Sequence, residues 1–266
     1  MTIDEFHAQP NRPGWKYEYR GGKAYIQPRP SVAVLRAPVV VRPVAVPDSF
    51  RLRPATVADS ALLIHAFFDA FRDSIDYWDS RQPAIRADSR KSIKTCFAGR
   101  RGAFHAASFV AVAPTGRSLA GAALLVEEGD GPALDLLFVR PRWQRLGLGL
   151  ALAQAAMNAL HESGAAHLGG AYNVANDASA ALHQRLGFQE LPDLRRAQEE
   201  AEGARHELWR RERAGDLARA EWKELKQVAA HWGKVCGELC ALCDRDGHEA
   251  VSPLLRRRRA REEKIL

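Results

Sequence analysis

Hydrophobic positions in the middle of the chain recur with two different periods, and their alternation predicts an α+β (mixed α/β) fold. Strand-like runs occur at FRLRP (50–54), ASFVAVAP (107–114), RSLAGAALLVEE (117–128), ALDLLFV (133–139) and AAHLGGAY (165–172). Helical spacing occurs at ALLIHAFFDAF (61–71), at 86–99, after Pro141 and at 176–186. Thr56 and Asp59 have the spacing of a capping box ahead of the first of these helices. GFQEL and RHELWRRE, at 187–191 and 205–212, are predicted as further strands.

These elements divide the chain into three sections, which are an N-terminal extension (1–47), a central α+β domain (48–212) and a helical C-terminal extension (213–266). In the first section, WKYEYRGGKAYIQPRP predicts a hairpin that turns at Gly21-Gly22. VAVLRAPVVVRPVAVP is β-branched but interrupted by proline, which predicts an edge strand or an extended linker.

In the third section, an apolar seam at steps of three and four predicts one helix of about seven turns. Its members are Trp222, Leu225, Ala229, Trp232, Cys236, Leu239 and Cys243. The seam must be buried, either by folding back on the central domain (48–212) or in a homodimer, and we favour packing within the chain. Cys236-x-x-x-Cys240-x-x-Cys243 could hold zinc with His231 or His248. Because two of these cysteines lie on the seam, core thiols are favoured and no metal is expected.

Composition and charge narrow the function classes. The 266 residues are 46% hydrophobic, without an apolar run of the ~20 residues that a membrane helix needs. The net charge of +7 lies in the two ends, since 1–47 and 256–266 each sum to +4. A nucleic-acid domain carries its positive charge on the folded body, so nucleic acid is not an expected partner. The acidic start MTIDEF favours a soluble cytoplasmic protein. The four cysteines are too few and too clustered for a disulfide framework, which favours reduced thiols.

The stretch VRPRWQRLGLGLALAQAAM (139–157) places Gly147 and Gly149 where a strand gives way to an alanine-rich helix. A helix N-terminus presents unpaired N–H groups and binds anions, above all phosphates. Glycine there removes the Cβ that would block a pyrophosphate. Leu146, Leu150, Ala153, Met157 and Leu160 are predicted as the stripe that packs on a sheet.

Two motifs resemble those of the GNAT superfamily of acyl-CoA-dependent N-acyltransferases. Gln144-x-x-Gly147-x-Gly149 is similar to that family's pyrophosphate loop, and NDASAALHQRLGF (176–188) is similar to its second motif. FRLRPATVADSALL also resembles the family's first strand and helix. The resemblance implies a mostly antiparallel sheet whose strands ALDLLFV and AAHLGGAY part to hold acyl-CoA. It also implies acetyl transfer from acetyl-CoA to an amine by direct attack on the thioester.

The residues that the resemblance assigns to acetyl-CoA lie on the strand, on the loop and at the second motif. They are Phe138, Val139, Gln144, Arg145, Leu146, Gly147, Leu148, Gly149, Leu150 and Asn176. Gly169-Gly170 is explained either by close approach of the acyl-pantetheine arm or by a loop or bulge.

Three residues are candidates for proton transfer. The family's usual proton donor is a tyrosine whose position here is held by His183, which has either a catalytic or a structural role. Tyr172 is a second candidate donor. Asp135 lies between leucines, where burial would raise its pKa and make it a base. Alternatively, Asp135 pairs with an arginine or lies at an exposed strand end, and the base acts through water.

The leading hypothesis is therefore an N-acetyltransferase that uses acetyl-CoA and an amine of unknown identity. The alternative is a catalytically idle acyl-CoA-binding module. The first 30 residues also resemble the opening of the nuclease-like Uma2 family, but the acid-acid-lysine core of that family does not follow. We expect a hairpin there and no nuclease. Phe67, Phe71, Tyr77 and Trp78 are expected in the core rather than in an acceptor pocket.

Overall fold

The computed structural model describes residues 1–10, 12–29, 31–129, 131–215 and 218–246, with the side chains of 242–246 outside the description. The strands are β1 (Trp15–Arg20), β2 (Lys23–Pro28), β3 (Val32–Pro38), β4 (Arg51–Pro54), β5 (Ala103–Phe104), β6 (Phe109–Val112), β7 (Leu119–Glu128), β8 (Gly131–Val139), β9 (His167–Asn173) and β10 (Gln189–Glu190). The helices are α1 (Ile3–His7), α2 (Ser60–Phe71), α3 (Gln82–Phe97), α4 (Leu148–Glu162), α5 (Asp177–Arg185), α6 (Leu194–Ala214) and α7 (Arg219–Asp246). This is an α+β fold, as the sequence predicts.

Contacts divide the chain into two compact units. The first comprises 1–33, 173–175 and 191–266, and the second comprises 34–172 and 176–190. This division differs from the three sections predicted from the sequence. The segment 34–47 joins the second unit because most of β3 enters its sheet, and 191–212 joins the first unit as part of α6.

The second unit contains a mixed sheet in the order β10-β3-β9-β8-β7-β6-β4, with β5 paired to β7. β6, β7 and β8 are antiparallel neighbours, whereas β8 and β9 run parallel. The strand-like runs at 107–114 and 117–128 therefore contain two strands that pair antiparallel. The prediction of an edge strand or an extended linker for 32–47 is wrong for 32–38, because β3 lies between β9 and β10. Residues 39–47 contain no helix or strand, in agreement with a linker. The proline of β3, Pro38, is the last residue of the strand.

The core of the second unit lies between the sheet and its helices. Leu63 and Phe67 of α2 and Ile93 of α3 are buried with sheet residues such as Leu124 and Phe138. The predicted capping box of Thr56 and Asp59 is present ahead of α2. Of the expected core aromatics, Phe67 is buried and Phe71 and Tyr77 pack against the core, whereas Trp78 is half exposed.

α4 buries a face that differs in part from the predicted stripe. Ala153, Met157 and Leu160 are buried as expected, but Leu146 is 49% exposed because it precedes the helix. Leu148 and Leu152 are buried instead of Leu146 and Leu150. The helix begins at Leu148, two residues after the first position of the predicted stripe.

The first unit contains the predicted hairpin, with β1 and β2 joined at Gly21 and Gly22, both in the left-handed region. The prediction of a strand at RHELWRRE is wrong, since these residues lie inside α6, which Asp193 caps through the N–H of Arg196. α7 packs against α6, while the described seam residues, such as Trp222 and Trp232, are only partly buried. The homodimer alternative therefore stays a prediction. The side chains of Cys243 and His248 and the basic segment 256–266 lie outside the description. Among the described helices, none has the length and apolarity to cross a membrane.

Candidate functional site

The loop between β8 and α4 is held in an unusual backbone conformation. Arg145 has φ +63° and Gly147 has φ +85°, both in the left-handed region. Such a conformation is uncommon for a residue with a side chain, and it is concentrated at functional sites. The Gln144 side chain closes the loop by donating from Nε2 to the Val139 carbonyl at 2.9 Å. A Cβ added at Gly147 would meet no atom within 4 Å, so the loop faces open space.

The loop ends in a helix whose first amides are free to bind an anion. The first amide of α4 that bonds back is that of Ala151, to the Gly147 carbonyl at 3.0 Å. The N–H groups of Leu148, Gly149 and Leu150 therefore have no acceptor within the helix, as expected for a first turn. They lie at the positive end of the helix dipole. Their position agrees with the phosphate-binding turn predicted from the two glycines.

Two cationic side chains flank these amides. Arg142 and Arg145 are both exposed, and neither makes an ion pair with any described residue. Arg142 lies over the ring of Trp143, whose other contact is an edge-to-face packing on Phe50. Arg140, by contrast, is engaged in an ion pair with Asp69. The loop thus presents to solvent, beside the helix N-terminus, two positive charges that form no ion pair with any described carboxylate.

Next to the loop, β8 and β9 part. Their pairing consists of Ala133 with Gly169 and Leu134 with Gly170, after which neither strand pairs with the other. On the other edge of β8, Leu124 pairs with Leu136 but Leu125 pairs with Leu134, so Asp135 is the extra residue of a β-bulge. A bulge bends its strand and re-aims a side chain. The gap therefore opens at the bulge, between the two strands that the sequence predicts.

Asp135 does not lie at an exposed strand end. Its side chain is 4% exposed and is paired with Arg101, whose Nε and Nη2 donate to Oδ2 at 2.9 and 2.5 Å. Arg101 also donates to the Ser92 carbonyl at 2.9 Å, which fixes the guanidinium. Of the alternatives for Asp135, the structure contains the arginine pair. Its predicted role as a base remains a prediction.

His183 is buried, with 4% of its surface exposed. Its Nδ1 lies 2.8 Å from the Ser179 carbonyl, which can only accept, so Nδ1 carries the proton. Nε2 is consequently the unprotonated nitrogen, and it is buried without a hydrogen-bond partner in the described part of the chain. Burial lowers the pKa of His183. The ring is thus a neutral acceptor in this structure, whereas a proton donor is what the resemblance requires at this position.

Tyr172 and Gly170 explain how this imidazole is held. The Tyr172 ring stacks on His183 with centroids 5.4 Å apart, and Tyr172 belongs to the part of β9 that does not pair with β8. A Cβ at Gly170 would lie 3.3 Å from Phe188 Cε1 and 3.7 Å from His183 Nε2. The second glycine of the pair therefore allows α5 and Phe188 to pack closely on the strand.

The remaining predicted residues are placed as follows. Phe138 is buried against the rings of Phe67 and Phe71, so its side chain faces the core while its backbone borders the gap. Asn176 caps α5 by accepting from the Ser179 N–H at 3.0 Å, and its Nδ2 donates to Asp76 at 3.0 Å. Its assignment to the pantetheine arm stays a prediction.

The Asp76 contact brings in a segment whose sequence carried no interpretable pattern. Residues 75–77 form a short 3-10 turn between α2 and α3. Besides Asp76, this turn supplies Tyr77, whose hydroxyl donates to Asp88. Burial, followed by that hydrogen bond, raises the pKa of Tyr77. No residue spacing signals this arrangement, because its partners lie 11 and 100 positions away.

One family model matches rather less than half of the chain. Residues 67–188 match the model of the acetyltransferase (GNAT) family. No curated protein matches the chain. One similar structure is a GCN5-related N-acetyltransferase from Sphaerobacter thermophilus, at 17% identity over 60% of this chain and TM-score 0.43; the match spans about half of that protein, 48%.

Two further similar structures are bacterial and archaeal. The ribosomal-protein-S18-alanine N-acetyltransferase from Escherichia coli is 23% identical over 54% of this chain and 79% of its own, with TM-score 0.42. The PaiA N-acetyltransferase from Thermoplasma acidophilum, in complex with coenzyme A, is 15% identical over 53% of this chain and 89% of its own, with TM-score 0.44.

Proposed function

We propose, from the premise that residues 67–188 form a domain of the acetyltransferase (GNAT) family, that this chain transfers an acyl group from acyl-CoA to an amine. Acetyl-CoA is the simplest donor. The observation that carries the proposal is the junction of two features: free amides at the start of α4, and a sheet that parts beside them. The free amides suit a diphosphate, and the gap between the strands suits an extended chain with amide groups.

The diphosphate is assigned to the N–H groups of Leu148, Gly149 and Leu150, with Arg142 and Arg145 as the nearby cations. Main-chain amides at a helix N-terminus bind phosphate oxygens without a side chain, and arginine adds charge-assisted bonds. The open space in front of Gly147 leaves room for the ligand.

The pantetheine arm is assigned to the gap between β8 and β9. Residues 135–139 and 171–173 do not pair with each other, so those of their main-chain groups that face the gap are available to amides of a ligand. An extended ligand that hydrogen-bonds to a strand edge uses the same geometry as strand addition. The arm would place the thioester near the bulge, beside Tyr172.

The chemistry requires that an unprotonated amine attacks the thioester carbon, that a C–N bond forms and the C–S bond breaks, that the attacking nitrogen loses a proton to water as the amide forms, and that the thiolate gains a proton. We assign the last proton to the Tyr172 hydroxyl rather than to His183, since the His183 proton is held on Nδ1 by the Ser179 carbonyl. With Asp135 paired to Arg101, the amine arrives unprotonated or loses its proton to water.

One observation favours the second candidate, an idle acyl-CoA-binding module. His183 occupies the position of the expected donor and offers a lone pair there. A binding module would keep the amides and the gap but would not need a proton donor.

The test combines binding and turnover. Acetyl-CoA binding is measured by calorimetry, and release of free coenzyme A thiol is measured with a panel of primary amines, against a no-amine control. We expect binding and amine-dependent thiol release. Binding without release with any amine would favour the idle module, and no binding at millimolar acetyl-CoA would refute both. Tyr172→Phe is expected to lower kcat more than His183→Gln, with unchanged acetyl-CoA affinity in the former.

A further inference from the structure

The first unit contains a cavity of about 280 Å³, and the residues that line it lie outside the matched stretch 67–188. One wall is the N-terminal segment from α1 through β1, with Phe6, Trp15 and Tyr17. The opposite wall is α6, and Arg29 stands after β2. This volume is at the lower limit of small-molecule sites.

The aromatic wall follows from strand geometry. Trp15 and Tyr17 are two positions apart on β1, so both side chains lie on one face of the hairpin. Phe6 of α1 extends this face by packing on Tyr19, with ring centroids 5.4 Å apart. The result is an apolar surface able to cover the flat face of a ring or a short hydrocarbon chain.

Arg29 is the feature that points to a ligand. Its backbone N–H donates to the Gly14 carbonyl at 2.7 Å, which fixes the start of the side chain. Its Nε is buried and has no hydrogen-bond partner, and the guanidinium makes no ion pair with any residue the structure describes. Buried donors are nearly always satisfied in native proteins, and leaving one unpaired is costly.

The acidic residues of the cavity do not form ion pairs with Arg29. Glu199 accepts from the Ser31 hydroxyl at 2.6 Å and from Arg195 at 3.2 Å, and Glu200 is paired with Arg196. Glu202 is exposed to solvent, where water hydrogen-bonds to its carboxylate and screens its charge. Arg29 is therefore a positive charge inside the cavity that its carboxylates leave unneutralised.

We propose that this cavity binds a small carboxylate with an aromatic or apolar body. The planar guanidinium of Arg29 matches the two carboxylate oxygens, a geometry that lysine cannot reproduce. The body of the ligand lies against Trp15, Tyr17 and Phe6. The cavity is formed by residues outside 67–188, so the proposal stands apart from the acyl-transfer site.

The test uses three probes with one body and different charges on the full-length chain: 3-phenylpropionate, its amide 3-phenylpropionamide, and 3-phenylpropylamine. Dissociation constants are measured by calorimetry or ligand-observed NMR. We expect the carboxylate to bind at least about tenfold more tightly than the amide, with the amine weakest. Arg29→Gln should abolish the difference between carboxylate and amide.

Arg20→Gln is the matched control, because Arg20 lies on the same hairpin with its side chain 70% exposed and paired with Glu18. It should retain the wild-type preference. Equal binding of the three probes, a preference that survives Arg29→Gln, or no binding of the carboxylate at millimolar concentration would each overturn the proposal. If Arg29→Gln does not fold, Arg29→Lys replaces it: weaker carboxylate binding supports the proposal, and a wild-type constant refutes it. Coenzyme A binding, measured in parallel, decides the acyltransferase proposal separately.

Discussion

Replacing Gly147 by alanine separates the cost of a strained loop from the loss of a binding surface, because α4 carries a matched control at its other end. Gly147 precedes the helix with φ +85°, and Gly164 follows it with φ +80°. An added Cβ meets no atom within 4 Å at either position. Neither substitution therefore introduces a clash, and both force an L-residue into the left-handed region.

That backbone cost is about 1–2 kcal/mol for each substitution. For a domain of this size, 1 kcal/mol lowers Tm by about 2–4 °C, so both variants should melt about 2–8 °C below the wild type. Only Gly147→Ala places a methyl group beside the amides of Leu148 and Gly149 and biases the loop away from its conformation. We expect it to weaken coenzyme A binding by about tenfold or more, which is at least about 1.4 kcal/mol.

The assay is calorimetric titration of coenzyme A into the wild type and both variants, at a temperature well below each Tm, with unfolding followed by circular dichroism. Gly164→Ala should bind coenzyme A with the wild-type constant in spite of its lower Tm. If Gly147→Ala binds equally well, or if both variants lose the same affinity, the main-chain amides of this loop do not bind the diphosphate and the reasoning fails.

Three further predictions concern buried titratable groups. Asp135→Asn removes the partner of Arg101 and should lower the free energy of unfolding by about 3–5 kcal/mol, measured in urea, with partial recovery in the double variant with Arg101→Met. Burial lowers the His183 pKa in the folded state, so the unfolded state binds more protons as pH falls. The free energy of unfolding should therefore decrease below about pH 6.5. His183→Gln should reduce the dependence of Tm on pH in this range. Burial, followed by the charge of Asp135, raises the pKa of Cys96 to about 12. Iodoacetamide at pH 8 should therefore modify the exposed Cys240 and spare Cys96 until the chain is unfolded, as read by peptide mass spectrometry.

Each of these has a distinct contrary result. An Asp135→Asn variant as stable as the wild type would mean that the ion pair contributes nothing net. An unchanged pH slope in His183→Gln would assign the acid sensitivity to other groups. Alkylation of Cys96 in the native protein at the rate of Cys240 would show that the helix bearing it opens readily.

The sequence predicted the strand, loop and helix around Gly147 because their signals are local. An apolar run, a proline and two glycines are read from adjacent residues, and the amides of a first helical turn are free wherever such a helix starts. The antiparallel pair β6–β7 was predictable for the same reason, since a short turn joins the two strands. The gap between β8 and β9 came from the family resemblance rather than from residue patterns.

The errors arose where distant contacts outweigh local pattern. RHELWRRE was predicted as a strand, but it continues a segment rich in alanine, glutamate and arginine, which are strong helix formers, and ion pairs such as that of Glu207 with Arg210 stabilise the helix. β3 was predicted as an edge strand or linker because prolines interrupt the stretch 32–47, yet Pro38 is the last residue of the strand and lies outside the paired positions Leu35 and Arg36. Proline excludes a strand only where it falls inside the ladder.

Asp135 shows most clearly why the site could be located but not its chemistry. An acid between leucines correctly indicated an unusual environment, but the sequence could not distinguish a base from a structural ion pair. The deciding partner, Arg101, is 34 residues away in a turn after α3. The β-bulge that turns Asp135 toward it is also the point after which β8 and β9 separate. A single extra residue in β8 therefore buries the carboxylate against its arginine and coincides with the opening of the sheet beside the free amides. The ion pair of Asp135 with Arg101 is thus part of the structure that shapes the gap.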